Sequence, residues 1–122
     1  MAGRSGAGTA TAARDARYAA IWAAVAAIPR GTVLSYGRVA ALAGCPRAPR
    51  LVGRALKAAP DARALPWHRV TGAGGRIAFP PGSRNHREQR RRLLAEGLSV
   101  VKGRVVLPRA ADLDALLWGS AR

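Results

Sequence analysis

The sequence predicts an α+β, mainly helical domain with small β elements, in which two short helices form either a helix-turn-helix or an ordinary helical hairpin with a solvated charged face. Three observations predict it. Apolar residues recur at helical spacing through three successive segments between Asp15 and Ala59; the later two are short and separated by a tight turn containing proline; and short β-prone runs bounded by glycine and proline follow. A chain of 122 residues can bury one modest core but not two independent ones.

Residues 1–13 are mostly glycine, alanine, serine and threonine and bury too little to offset the entropy of ordering. A disordered tail is therefore expected there, ahead of a single domain over 14–118 and a second tail over 119–122. From Asp15, a candidate N-cap, the residues Tyr18, Ile21, Trp22, Val25 and Ile28 recur every three or four positions until Pro29 and Gly31 stop the run. Ser35 is a good N-cap for a short second helix with Val39, Ala40, Leu42 and Ala43 on one face, ended by Gly44. A turn holding Cys45 and Pro46 leads to a third helix from about Pro49 to Ala59. Its residues Val52, Ala55, Leu56 and Ala59 face inward, leaving Arg50, Arg54 and Lys57, with Arg47 just before, on the outside.

The segment Leu65-Pro66-Trp67-His68-Arg69-Val70 is too short and too proline-bounded for a helix and reads as extended. Gly72 to Gly75 turn the chain, and Arg76 to Phe79 return as its partner strand until Pro80 and Pro81. Ser83 caps a fourth, strongly basic helix that buries Leu93 and Leu94 and ends at Gly97. A hairpin over 99–107 and a short helix around Asp112 to Trp118 close the chain.

The charge balance speaks to a partner. Twenty-one Lys and Arg oppose 6 Asp and Glu for a formal charge of +15, and 19 of the basic residues are arginine. Such an excess favours a polyanion, because phosphates neutralise it and release counterions. Solubility, or the codon habit of a GC-rich genome, would give the same count, but here the bases gather beside the helices. The single Cys45 leaves no internal disulfide and no multi-cysteine zinc site, so neither a metal nor a cofactor is expected. No apolar run reaches the length of a membrane span and the first residues lack the apolar centre of a signal peptide. No membrane partner is expected, and the expected location is the bacterial cytoplasm, on the nucleoid when DNA is bound.

Four segments in order carry a resemblance: Leu34-Ser35-Tyr36-Gly37-Arg38-Val39-Ala40, Arg50-Leu51-Val52-Gly53-Arg54-Ala55-Leu56, Pro66-Trp67-His68-Arg69-Val70 and Leu93-Leu94-Ala95-Glu96-Gly97. From about Tyr18 to Leu107 the chain resembles the DNA-binding, C-terminal domain of O6-alkylguanine-DNA alkyltransferases, which implies a winged-helix-like, helix-turn-helix DNA-binding fold. Those enzymes carry Pro-Cys-His-Arg-Val, whose cysteine accepts the alkyl group; here that position is Trp67. A tryptophan there marks the alkyltransferase-like proteins, which are similar in fold and lesion binding but transfer nothing. The substitution agrees with the chemistry, since an indole is neither ionisable at neutral pH nor a useful nucleophile. No residue is expected to be catalytic, and Cys45, outside the motif, reads as a packed or surface thiol.

The resemblance implies a protein that binds O6-alkylguanine in double-stranded DNA from the minor groove, flips the nucleotide, and flags the lesion to nucleotide excision repair proteins. It implies DNA contacts from Tyr36, Arg47, Arg50, Gly53, Arg54, Ala55 and Lys57. Arg50 falls on the finger that enters the stack, and Tyr36 on the tyrosine that presses the backbone beside the lesion. The implied lesion pocket is Tyr36, Trp67, Val70, Phe79, Pro80 and Ser83. His68 and Glu96 would be structural relics of the proton relay, and Arg69 a tie from this strand to neighbouring carbonyls. Two positions depart from the enzymes: Ala59 stands where they have an asparagine, and the loop over 79–83 looks longer, which implies a roomier pocket. A monomer is expected. The competing expectation is a helix-turn-helix regulator that reads a base sequence in the major groove, usually as a dimer.

Overall fold

The architecture is that of a computed structural model describing residues 2–60 and 64–107, with side chains from residue 11 onward. Its elements are α1 (Ala2–Ala26), β1 (Leu34–Ser35), α2 (Tyr36–Leu42), α3 (Pro49–Ala58), β2 (Val70–Thr71), α4 (Arg84–Ala95), β3 (Val100–Val101) and β4 (Arg104–Val105). Single 3-10 turns occupy Trp67–Arg69 and Ala73–Gly75. The fold is mainly helical with short strands, as the sequence predicts.

Helix α1 starts at Ala2, so residues 2–13 are helical rather than a disordered tail, and Asp15 lies inside the helix instead of capping it. An alanine-rich segment joined to an already nucleated helix needs only propagation, which each glycine weakens by about 1 kcal/mol without forbidding. The final helix expected over 112–118 lies outside the described residues.

Helices α1, α2 and α3 meet in one apolar core of Ile21, Val25, Ile28, Val39, Ala40, Val52 and Ala55, with Val70 from the strand. Ser35 caps α2, its hydroxyl accepting from the Arg38 amide at 3.1 Å. The turn into α3 is set by Gly44 at φ 87°. There the Gly44 amide reaches Ala41 O at 3.1 Å and the Cys45 amide reaches Ala40 O at 2.9 Å, a Schellman ending that needs the left-handed conformation. Leu42, expected on the packed face, is 61% exposed, because the packed stripe runs through Val39, Ala40 and Ala43 and Leu42 lies to one side of it.

Two expectations about the following segment are corrected. Trp67–Arg69 form a 3-10 turn rather than an extended run, with the Arg69 amide bonded to Pro66 O at 3.0 Å. And Val70–Thr71 pair in parallel with Leu34–Ser35, not with 76–79. The latter segment instead joins the hairpin: Arg76 bridges Arg104, and the Ile77 amide donates to Gly103 O at 2.9 Å. Periodicity shows that a run is extended but not which edge accepts it. At Gly75, φ is 83° and an added Cβ would sit 2.9 Å from Val105 O, so only glycine fits this crossing.

Strands β3 and β4 pair as the hairpin expected over 99–107. A second, smaller core of Ile77, Leu93 and Val105 lies under α4. Leu94, expected to be buried, is 40% exposed, while Gln89 is 1% exposed. The buried face of α4 runs through Gln89 and Leu93, an i, i+4 pair with a polar member that apolar patterning passes over.

Candidate nucleic-acid interface

Helix α3 separates its charges from its packing. Val52 and Ala55 are fully buried, whereas Arg50, Arg54 and Lys57 are exposed, and Arg47 is exposed in the preceding turn. Between these bases a Cβ on Gly53 would meet nothing within 4 Å. The result is a basic surface with a gap that lets another backbone approach closely.

Beside this surface lies a cavity of about 220 Å³ lined by Tyr36, Gly53, Leu56, Lys57, Leu65, Trp67, Phe79 and Asn85. A broader groove of about 450 Å³ adjoins it through shared Tyr36, Gly53, Lys57 and Phe79 and reaches Pro49 and Arg50 at the start of α3. Tyr36, the first residue of α2, enters both. Burial raises its phenol pKa, so the hydroxyl keeps its proton at neutral pH. The cavity is apolar walled with a few polar tips, and among the described residues no thiol, carboxylate or imidazole lines it. Cys45 packs instead against the first core.

Trp67 forms one wall. The Phe79 ring meets it edge-on at 5.9 Å and 90°, and the His68 ring at 6.4 Å and 90°. The Arg92 guanidinium lies 5.2 Å from the indole centroid.

Behind this wall a charged cluster holds the turn in place. Glu96, 7% exposed, contacts His68 Nε2 at 2.5 Å and Arg69 NH2 at 2.9 Å. It also accepts from the Gly31 amide at 2.7 Å. Arg69 NH1 donates to Ile28 O at 2.8 Å, tying the turn to the end of the first helical segment. Burial opposes ionisation of Glu96, but hydrogen bonds from Arg69, the Gly31 amide and His68 outweigh it and hold the carboxyl at about 2. Glu96 is the C-cap of α4, where the helix dipole disfavours a carboxylate. These donors compensate, and Arg30 adds a bond to Ala95 O at 3.1 Å. Gly97 at φ 86° completes a second Schellman ending, with Leu98 N to Leu93 O at 3.2 Å, and so fixes where Glu96 points.

Two further ties were not foreseen. The Gln89 amide donates to His68 O at 3.0 Å and Val70 O at 2.8 Å, clamping the turn from α4. The Trp22 indole donates to Ala55 O at 2.7 Å, near the end of α3. These two side chains add to the ties of the Glu96 cluster, Gln89 on the turn and Trp22 on α3. Trp22 lies on the apolar stripe of α1 and Gln89 on an arginine-rich helix, and neither pattern along the chain names the carbonyl it meets.

The structure distributes the sequence-predicted residues unevenly. Tyr36, Trp67 and Phe79 line the cavity, and Arg50 and Gly53 the adjoining groove. Ala55 does not reach DNA from here, since it is fully buried with its carbonyl held by Trp22. Val70, 1% exposed, belongs to the first core rather than the cavity wall. Ser83 spends its hydroxyl on the His86 amide at 3.2 Å, capping α4, and neither it nor the exposed Pro80 lines the cavity. Leu56, Leu65 and Asn85, which do line it, come from three separate segments with no shared motif.

Comparison with known proteins agrees with this geometry. Residues 16–98 match the family described as 6-O-methylguanine DNA methyltransferase, DNA binding domain. The chain is 50% identical over 80 residues to the DNA base-flipping protein of Escherichia coli, covering 66% of this chain and 60% of that one. It thus spans under two thirds of that relative's length. It is 36% identical over 86 residues to alkyltransferase-like protein 1 of Schizosaccharomyces pombe, covering 70% of this chain and 80% of that one. The crystal structure of S. pombe Atl1 in complex with damaged DNA containing O6-carboxymethylguanine superposes with TM-score 0.67 at 34% identity, over 77% of this chain and 90% of that one. The chain belongs to the family of the 6-O-methylguanine DNA methyltransferase DNA-binding domain and, within it, is alkyltransferase-like.

Proposed function

We propose that this protein recognises O6-alkylguanine in double-stranded DNA, takes the flipped nucleotide into the cavity beside Trp67, transfers nothing, and marks the site for nucleotide excision repair. One observation carries the reading: the cavity next to the basic face of α3 has Trp67 in its wall and no thiolate or other activated nucleophile among its lining residues. Flipping costs a few kcal/mol of stacking and pairing. Arg50, exposed at the start of α3 and lining the adjoining groove, is placed to offset it by filling the vacated stack, where a planar guanidinium both stacks and donates. Tyr36 at the groove's edge would press the backbone beside the lesion.

His68 and Glu96 act here as structure. With no thiol to deprotonate, their contact and the Arg69 bonds orient the turn that presents Trp67. Arg54 and Lys57, with Arg47 nearby, supply phosphate contacts that carry no base sequence. A scanner of this kind needs weak sequence readout, because its selectivity lies in the extruded base.

The test is affinity for matched duplexes carrying guanine or O6-methylguanine at one fixed salt concentration. Tighter binding of the alkylated duplex, with the alkyl group still on the base after incubation, is expected. Equal affinity would remove the lesion reading, and strong discrimination among undamaged sequences would favour a sequence-specific regulator. Label transferred from the DNA to Cys45 or any other residue would overturn the non-enzymatic reading.

A further inference from the structure

We propose that Arg92 is a positioning residue for the wall of this cavity, acting through the Trp67 indole, with Glu88 as its anchor. The inference rests on the reading of the cavity as the place of the alkylated base.

Its guanidinium stands 5.2 Å from the centre of the Trp67 ring, within cation–π range. Arg92 does not line the cavity itself. It borders a separate cleft with Leu65, Pro66, His68 and Arg69, of which Leu65 also lines the cavity, and its charged contact with the cavity wall is the one to the Trp67 ring. Its Nε donates to Glu88 Oε2 at 2.7 Å, one helical turn earlier. Arg91 bonds the same carboxylate from the other side, through NH2 at 2.5 Å and Nε at 3.2 Å. Hydrogen bonds from Arg91 and then Arg92 hold the Glu88 carboxyl at about 2, so the anchor is charged at neutral pH.

A half-buried indole on a one-turn 3-10 segment has side-chain torsions that its own backbone does not lock. Phe79 and His68 meet it edge-on, and the Arg92 guanidinium adds a charged contact to the ring that is favourable in one orientation. Arginine suits this better than lysine because its delocalised guanidinium can face the ring while its Nε–H stays bonded to Glu88. A ring held before DNA arrives loses less freedom on binding, and that gain goes to the base in the cavity rather than to the phosphates outside it.

The experiment compares affinities for guanine and O6-methylguanine duplexes at two salt concentrations. The proteins are wild type, Arg92→Met, Arg92→Lys, Glu88→Gln, Trp67→Leu and the Trp67→Leu/Arg92→Met double variant. Loss of one positive charge weakens binding to both duplexes alike, so the ratio of affinities is the readout. Arg92→Met is expected to lower the preference for the alkylated duplex by about 3- to 10-fold. Arg92→Lys, which keeps the charge without the planar group, should keep only part of it, Glu88→Gln should lose less than Arg92→Met, and in the Trp67→Leu background Arg92→Met should change the ratio no further. An equal loss for both duplexes with a shallower salt dependence would overturn the proposal and make Arg92 a phosphate contact. Independent, additive losses in the double variant would overturn it as well. Should Arg92→Met fail to fold, the lysine and Glu88→Gln variants still decide, since both keep the helix surface polar. A wild-type protein with no preference overturns the cavity reading and this inference together, and shows it before any variant is made.

Discussion

Arg50 and Arg69 are the same residue type on opposite sides of Trp67, and the contrast between them describes the molecule. On the open side Arg50 is exposed at the start of α3, among other bases, and has no bonded acceptor among the described residues. On the closed side Arg69 is 17% exposed and meets the Glu96 carboxylate and the Ile28 carbonyl. The open side keeps charge and space in reserve for a partner and contributes little to the fold. The closed side satisfies its charges internally, at the end of a helix where a carboxylate would otherwise be disfavoured. Behind the open side, the turn that carries Trp67 is held by this polar cluster together with the apolar core that Val70 joins.

The largest expected effect breaks the closed side. Glu96→Ala leaves Arg69 charged, largely buried and without its carboxylate, and should destabilise the fold by about 3–5 kcal/mol in denaturant unfolding. Loss of under about 1 kcal/mol would mean that the cluster does not hold the turn. Acid should act next on the same carboxylate. Glu96 is held at about 2 against an ordinary 4.5, so its contribution is present in full above about pH 4.5 and is lost as pH falls toward 2. The amount is on the order of 3 kcal/mol. Unfolding free energies measured from pH 6 to pH 2 should fall through that window in wild type and fall less in Glu96→Gln.

Changes on the open side should leave stability almost untouched. Arg50→Ala is expected to cost about 1–3 kcal/mol of affinity for alkylated duplex by fluorescence anisotropy, with unfolding unchanged within about 0.5 kcal/mol. A stability loss matching the affinity loss would erase the contrast between the two sides. The smallest and sharpest test is Gly53→Ala. The added methyl has open space, so the helix should gain about 0.5–1 kcal/mol while DNA binding weakens, a trade in opposite directions. Unchanged binding would show that DNA does not approach α3 at Gly53.

The elements that local chemistry dictates were legible before the structure. Ser35 and Ser83 cap their helices, and Gly44 and Gly97 end them, because each needs only its neighbours along the chain. The motif Pro66-Trp67-His68-Arg69-Val70 was legible for the same reason, and with it the family. The charge of α3 was legible as well, since 3.6-residue periodicity separates Arg50, Arg54 and Lys57 from Val52 and Ala55. That separation also tells against placing Ala55 on the DNA face, an expectation that came from the resemblance and that burial overturns.

Other features had no local signature. The parallel pairing of Leu34–Ser35 with Val70–Thr71 joins strands 36 positions apart. Gln89 sits in an arginine-rich helix and looks solvated, until α4 packs against the turn and its amide finds the His68 and Val70 carbonyls. Arg92 over Trp67 and Trp22 on the Ala55 carbonyl are likewise contacts between segments. The sequence by itself determined the short helices, their caps, the basic face and the family motifs, because these follow from side-chain chemistry and short-range spacing. Only the tertiary structure decided which residues wall the cavity and which brace it, because a buried polar group takes whatever partner the packing delivers, and the spacing along the chain does not name that partner.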